Sequence, residues 1–469
     1  MRASRAARVP YRRPERRLGS AAGRGRDRAR AARGSRVQLP DARHHGGNRR
    51  VSGAALLTTY AATVTFDRYE DIRAALFDPN LSRTFDKRSY HEGNIRDGIV
   101  SIAHGATHRA RRRIENTQFR ADVLRLYERE LFPKVMNDLL DTLITSDRVD
   151  LFPIGELLSV VLAARRAGIE YDPSSLDQLR TLVRHVDAFS QGSAILDAKD
   201  PEAVRALVRE AYAGFEREFV RPAWDRRATL IESIRKGDLA EQDLPQDILT
   251  ILLLHRADAN LELSDDGRVV REVATYLQGG THTSAQTLVN ALDLIFAQSD
   301  AQRLLARVAA DTLFAQRVVQ ETLRLRPTTP KAKRRAEADT EVAGRRIPED
   351  ALVVLDLAKG NRDRDVFGPT ADEFDPDRAV GANVPRWGLS FGAGAHQCPG
   401  RAVGGGFPIP ASFDVDDDHV HGLVALEVQA VARRGVRPDP ERAPERDLRT
   451  ERFTRWLHYP VRFERIHRP

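Results

Sequence analysis

A chain of 469 residues with a single cysteine, Cys398, can form no disulfide of its own and no multi-cysteine metal cage. The thiol lies in Phe391-Gly-Ala-Gly-Ala-His-Gln-Cys-Pro-Gly400. Gly392, Gly394 and Gly400 permit turns closed to residues with a Cβ and let a flat ligand come close. Backbone N–H groups in such a loop can point at the sulfur and stabilise a thiolate. Phe391 can shield it from water, and His396 can donate to an anionic group beside it. Two other readings stand next to this one. A lone cysteine is commonly a small buried hydrophobe. A cysteine nucleophile paired with His396 is the second, although two residues of separation in a loop do not by themselves align such a pair.

The loop resembles the haem-binding loop of the cytochrome P-450 family, Phe-x-x-Gly-x-x-x-Cys-x-Gly, with Phe391, Gly394, Cys398 and Gly400 at its four fixed positions. The resemblance implies that Cys398 is the axial thiolate of haem iron. Other segments match the family in order. His108 and Arg112 are four apart and share a helix face. They resemble the family's His-x-x-x-Arg pair, which binds haem propionates through charge-assisted hydrogen bonds; alone, they would read as a solvated basic face. Farther on, a helix is predicted from a cap near 264–266 to about 299, with Gly279-Gly-Thr-His-Thr-Ser284 interrupting it. Two glycines inside a helix cost about 1 kcal/mol each relative to alanine. They mark either a close ligand at Gly279 and Gly280 or a packing notch.

This stretch resembles the family's oxygen-binding segment, small–Gly–x–acid–Thr. Gly280 and Thr283 match it, while His282 stands where the acid is usual. The resemblance therefore implies Thr283 and His282 as the residues assisting O–O activation. Imidazole can carry protons near neutral pH, and a histidine satisfied by a backbone carbonyl is the plain alternative. Glu321 and Arg324, followed by Arg378, resemble the family's Glu–Arg–Arg structural network on the thiolate side. Arg335 aligns with a further propionate-binding position, and His396 joins the same set. Lys331 and Lys333, just before it, face either the active site or solvent, and solvent is the commoner case for lysine.

Charge is distributed unevenly. The first fifty residues hold sixteen arginines, no lysine and three acids, +13 in all, so the remainder of this +8 chain stands at −5. The basicity thus belongs to a tail, and the body offers no argument for nucleic acid. Residues 1–50 carry too few large apolar side chains to offset ordering entropy, and disorder is expected. A transit peptide, a nucleic-acid-binding arm and a mis-assigned start all fit that composition. The start reading is preferred because the first helix and strand that the family resemblance implies are absent there. No run of eighteen apolar residues exists, so no membrane-spanning helix is expected.

Residues 61–66 read as a strand and 69–76 as a helix closed by Asp78-Pro79-Asn80. Residues 84–106 lack periodicity, and 120–260 read as several helices. After Cys398, Gly404-Gly-Gly-Phe-Pro-Ile-Pro410 and Asp416-Asp-Asp418 depart from the helix usual in the family, and a helix is predicted to resume near His419.

The expectation is a mainly α protein with small β-sheets (α+β), of cytochrome P-450 fold with its long central helix over haem. Residues 51–469 form one haem domain behind the 1–50 tail. By resemblance, the activity is haem-thiolate monooxygenation of a small organic substrate, a hydroxylation or related oxidation in specialised metabolism. The cofactor is haem b, and electrons come from NAD(P)H through a ferredoxin-type donor with its reductase. The setting is cytoplasmic, with no membrane partner. A haem protein without monooxygenase activity, such as an electron-transfer, gas-sensing or degenerate form, is the competing class.

Overall fold

The computed structural model describes residues 60–83, 96–172, 175–195, 198–447 and 455–464. Segment 1–50 and positions 84–95, within the aperiodic stretch, lie outside the described residues. The described residues belong to one compact unit, Thr58–Pro469.

In chain order, β1 (Thr63–Phe66) leads into α1 (Tyr69–Phe77), the strand and helix expected there. The Asp78 carboxylate accepts the Asn80 N–H at 2.7 Å and so closes the turn before β2 (Leu81–Ser82). Then come α2 (Gly105–Glu115), α3 (Leu151–Ala167) and α4 (Leu176–Ser193). Further helices at Pro201–Phe215, Arg221–Lys236 and Ile248–Leu254 bear out the helical reading of that region. The central helix α5 (Asp266–Phe296) precedes α6 (Thr312–Leu325) and the strands β3 (Lys331–Ala336) and β4 (Leu352–Asp356). Beyond the cysteine loop lie α7 (Arg401–Gly405), α8 (Leu423–Arg433) and a hairpin of β5 (Glu445–Asp447) with β6 (Arg455–His458).

The Asp265 carboxylate starts α5 by accepting the Gly267 N–H at 2.9 Å. The helix then runs unbroken for 31 residues, through Gly279 and Gly280, so the expected interruption is absent. Packing explains why. α3 is apolar on almost every side and buried along nearly its whole length, as a helix enclosed by other helices must be. It crosses α5 where both carry small residues. A Cβ on Gly280 would lie 3.0 Å from the Ala163 Cβ, and one on Gly155 3.3 Å from Leu288 Cδ2. Close helix contact offsets the glycine penalty. Gly280 is therefore the packing notch, and it faces α3.

The largest sheet has the order β1-β4-β3-β2: β1 runs parallel to β4 from Thr63 opposite Leu352, and the other pairs are antiparallel. Its register decides which of two adjacent arginines on β3 turns inward.

After Cys398 the chain makes the short helix α7 and then leaves helical geometry at Gly406, with φ 75°. It returns at Gly422, with φ 90°, and Phe407 N–H donates to Val420 O at 2.7 Å. Residues 407–421 thus form a loop pinched at its base between α7 and α8. The resumed helix begins at Leu423, a few residues later than the sequence suggested. Arg125 Nε donates to Asp418 O at 2.7 Å, and the guanidiniums of Arg317 and Arg386 lie over the Phe413 ring at 3.9 and 4.5 Å.

Candidate active site

The cysteine loop is a clamped turn. Cys398 N–H donates to Phe391 O at 2.9 Å, closing the segment into a ring. Gly394 has φ 67°, and a Cβ there would sit 2.6 Å from the carbonyl oxygen of Leu76 at the end of α1. Only glycine satisfies both conditions. Phe391 packs edge-to-face on Trp387, centroids 5.5 Å apart, and against the backbone of Gly404 and Gly405, where Cβ atoms would approach it to 3.3 and 3.2 Å. The glycine run after the cysteine therefore seats the shielding phenylalanine. Burial pushes the Cys398 thiol up, opposed by a hydrogen bond from the Gly400 N–H and by the charges of Arg112, Arg83 and Arg401.

Around this loop lies a set of nitrogen donors from three segments. His108 on α2 is buried, with its ring 4.1 Å from that of His396, and Arg112 NH2 donates to Gln397 O at 3.0 Å. Burial lowers His396 to about 2 and His108 to about 4, and among the described residues the charged groups acting on both rings are basic. The His396 Nδ1 is buried without a partner among the described residues.

The fourth donor corrects the sequence assignment. Arg335 pairs with Asp350, away from this cluster. Arg334, one residue earlier, is buried, acts electrostatically on His396, and has no carboxylate partner among the described residues. Burial alone lowers it to about 10. Successive strand residues face opposite ways, so a shift of one position exchanges the inner side chain for the outer. Among the described residues His108, Arg112, Arg334 and His396 form a basic cluster with no acid to balance it, as a ligand bearing two carboxylates requires. On that observation the residues present fit haem. Lys331 is exposed and Lys333 half-buried, and neither lines the large cavity described next.

Two residues in the middle of α5 are exposed although the helix is otherwise in the core: Gly279 and Thr283. A Cβ at Gly279 would meet nothing within 4 Å. Both line a cavity of about 980 Å³, together with Ser190 and Gln191 of α4, Thr329, and Arg446 of the β5–β6 hairpin. The Thr283 hydroxyl donates to Gly279 O at 2.6 Å, which leaves its lone pairs open to the cavity. Gly279 thus sits where a ligand can approach, and Gly280 does not.

His282 borders the same cavity from the buried side of α5. It is buried, with Nδ1 2.9 Å from Ser190 Oγ and Nε2 3.2 Å from Glu156 Oε1 of α3. Its ring is held by side chains, not by the backbone carbonyl considered from the sequence. Burial lowers its pKa; the bond to Glu156 raises it and the charge of Arg455 lowers it. Sequence reasoning missed Glu156, Ser190 and Arg455, because nothing local announces contacts between elements more than ninety residues apart.

The network expected from Glu321, Arg324 and Arg378 is assembled and buried. Arg324 makes a two-pronged contact with Glu321, Nε and NH2 each donating at 2.7 Å, and Arg378 Nε reaches Glu321 Oε1 at 3.3 Å. The remaining donors go to backbone carbonyls, including Arg324 NH1 to Asn361 O and Arg378 NH1 to Phe367 O, and to the Thr370 hydroxyl. Asn361 passes the constraint on. Its side chain accepts the Leu389 N–H at 2.7 Å and donates to Ser390 Oγ at 2.9 Å, just before Phe391.

Among the described residues no helix is long and apolar enough to cross a membrane. Solved structures share the fold: CalO2 superposes with a TM-score of 0.66 at 21% identity, covering 85% of this chain and 90% of that one. The cyclooctat-9-en-7-ol 5-monooxygenase of Streptomyces melanosporofaciens is 25% identical over 360 residues, 71% of this chain and 74% of the relative. Cytochrome P450 137 of Mycobacterium tuberculosis is 27% identical over 284 residues, and the match spans 52% of this chain and 58% of that relative's length. The sequence also matches the Cytochrome P450 family over residues 56–405. With that match across most of its length, the chain belongs to the cytochrome P450 family.

Proposed function

We propose that this protein is a haem-thiolate monooxygenase that inserts one oxygen atom of O₂ into a small organic substrate of specialised metabolism. The observation that carries the reading is Cys398, held on a closed glycine loop beside an unbalanced cluster of four basic donors. Cys398 ligates the iron, and Phe391 keeps water from the sulfur. His108, Arg112, Arg334 and His396 hold the two propionates. Haem supplies the oxygen chemistry, with electrons from NAD(P)H through a ferredoxin-type donor and its reductase. Thr283 offers hydroxyl lone pairs at the cavity wall, where a water molecule can be held for proton transfer. The Glu321–Arg324–Arg378 network fixes the segment that leads into the cysteine loop. Residues 51–469 act as one haem domain in a cytoplasmic setting. The monooxygenase named for the Streptomyces relative supports the reaction class.

The reduced carbon monoxide difference spectrum tests the reading. The wild type is expected to show the thiolate-type band and Cys398→Ala to lose it; a mutant that kept the band would end the assignment. The histidine at position 282 favours a second reading, a haem protein without monooxygenase activity. Substrate-dependent spin shift together with product formation from NAD(P)H and a ferredoxin system separates the two.

A further inference from the structure

The β5–β6 hairpin sets an arginine on the wall of the large cavity. Its register puts Arg446 opposite Trp456, and the guanidinium lies over the indole, 3.2 Å from the ring centre. The indole is a fixed platform. Trp456 N–H donates to Gln286 Oε1 at 2.9 Å and its Nε1–H to Asn290 Oδ1 at 3.0 Å, three and seven residues along α5 from Thr283. Tyr459 packs edge-to-face on the same ring, centroids 4.8 Å apart. Arg446 is half-buried and lines the cavity, and among the described residues its guanidinium has neither a hydrogen-bond acceptor nor an ion pair. The acid that acts on it, Asp293, is already held by Arg326 and by the Tyr459 hydroxyl, the latter at 2.8 Å. Burial and the charge of Arg326 lower the Arg446 pKa, so the cation lacks an anion that would offset them.

The other cations of the cavity wall are accounted for. Arg455 pairs with Glu156 at 2.9 Å and with Asp187 at 2.6 Å, Arg96 is engaged within the protein, and Lys199 is exposed to solvent. Asp200, Glu445 and Asp447 border the same space. One guanidinium balances a monoanion, whereas a phosphate ester would bring a second negative charge among those three acids. The planar fork of guanidinium donors also matches the edge of a carboxylate.

We propose that the cavity takes an organic substrate bearing one carboxylate, and that Arg446, laid on Trp456, binds that group. The proposal names a substrate class for the monooxygenase reading and rests on it for the oxidation, not for the binding. Stacking on a fixed ring orients the guanidinium beforehand, so little side-chain freedom is lost when the carboxylate arrives. Arg446 selects and positions the substrate and takes no part in the chemistry.

The test uses the haem-loaded protein and probes that differ only in one end group. Straight-chain acids from hexanoate to hexadecanoate, and phenylbutanoate, are each compared with the primary amide and with the phosphate monoester of the matching alcohol. Isothermal titration calorimetry reads binding directly. The acid that fits best is expected to bind about tenfold or more tighter than its amide. Arg446→Gln removes that difference while amide binding and the thiolate-type carbon monoxide band stay as in the wild type, and Arg446→Lys retains part of it. The proposal is overturned if no acid is preferred over its amide, if the preference survives Arg446→Gln, or if the phosphate ester binds tighter than the carboxylate. Failure of the monooxygenase reading is separately visible, as an acid preference in a protein whose carbon monoxide complex lacks the thiolate-type band.

Discussion

Arg334 gives a prediction whose sign reverses with the state of the protein. It is 7% exposed, and its hydrogen bond from NH1 to Lys333 O at 2.9 Å brings no opposing charge. Burial lowers it from the ordinary guanidinium range to about 10. At about 1.4 kcal/mol per pH unit, holding the cation in place costs the folded protein about 3 kcal/mol. Because the folded-state pKa is the depressed one, this cost is fully present at every pH below about 10. It fades only as pH rises from there into the ordinary guanidinium range. Arg334→Leu therefore stabilises haem-free protein at neutral pH by up to about 3 kcal/mol, read from urea unfolding. With haem bound the same change removes a charge-assisted hydrogen bond worth about 1.5–3 kcal/mol, equivalent to about 10- to 150-fold weaker haem retention. Haem transfer to apomyoglobin measures that loss. Arg335→Leu is the control: it removes a partly exposed pair worth about 0–1 kcal/mol and leaves haem transfer unchanged. Normal haem retention in Arg334→Leu, or rapid loss in Arg335→Leu, would refute the reasoning.

Removing the carboxylate in Glu321→Ala leaves Arg324 and Arg378 buried against neutral acceptors alone; a loss of about 3–5 kcal/mol in urea unfolding is expected. Gly394→Ala pays both a left-handed backbone, about 1–2 kcal/mol, and a clash with Leu76 O. Gly392→Ala, at φ 65° with nothing within 4 Å, pays the first alone, so the two midpoints should differ in that order. Deleting residues 1–50 should leave the haem spectrum and the unfolding midpoint unchanged, since their composition supplies no core; loss of haem in the truncated protein would contradict this.

Local chemistry was legible in the sequence. One cysteine among three glycines, a Glu-x-x-Arg pair ahead of it and a long apolar-periodic helix carried the family resemblance and through it the fold class, because each motif is made of residues adjacent or one helical turn apart. The turns at Asp78 and the cap at Asp265 were readable for the same reason. The packing of helix against helix was not. Gly279 and Gly280 are equivalent in sequence, yet one faces a cavity and the other Ala163, a distinction set by how α3 crosses α5. Arg334 and Arg335 differ only in which side of β3 is inward, and register against β4 decides that. The partners of His282 come from positions 156, 190 and 455, and only the tertiary structure brings the Glu156 carboxylate of α3 beside a position of α5 that carries a histidine.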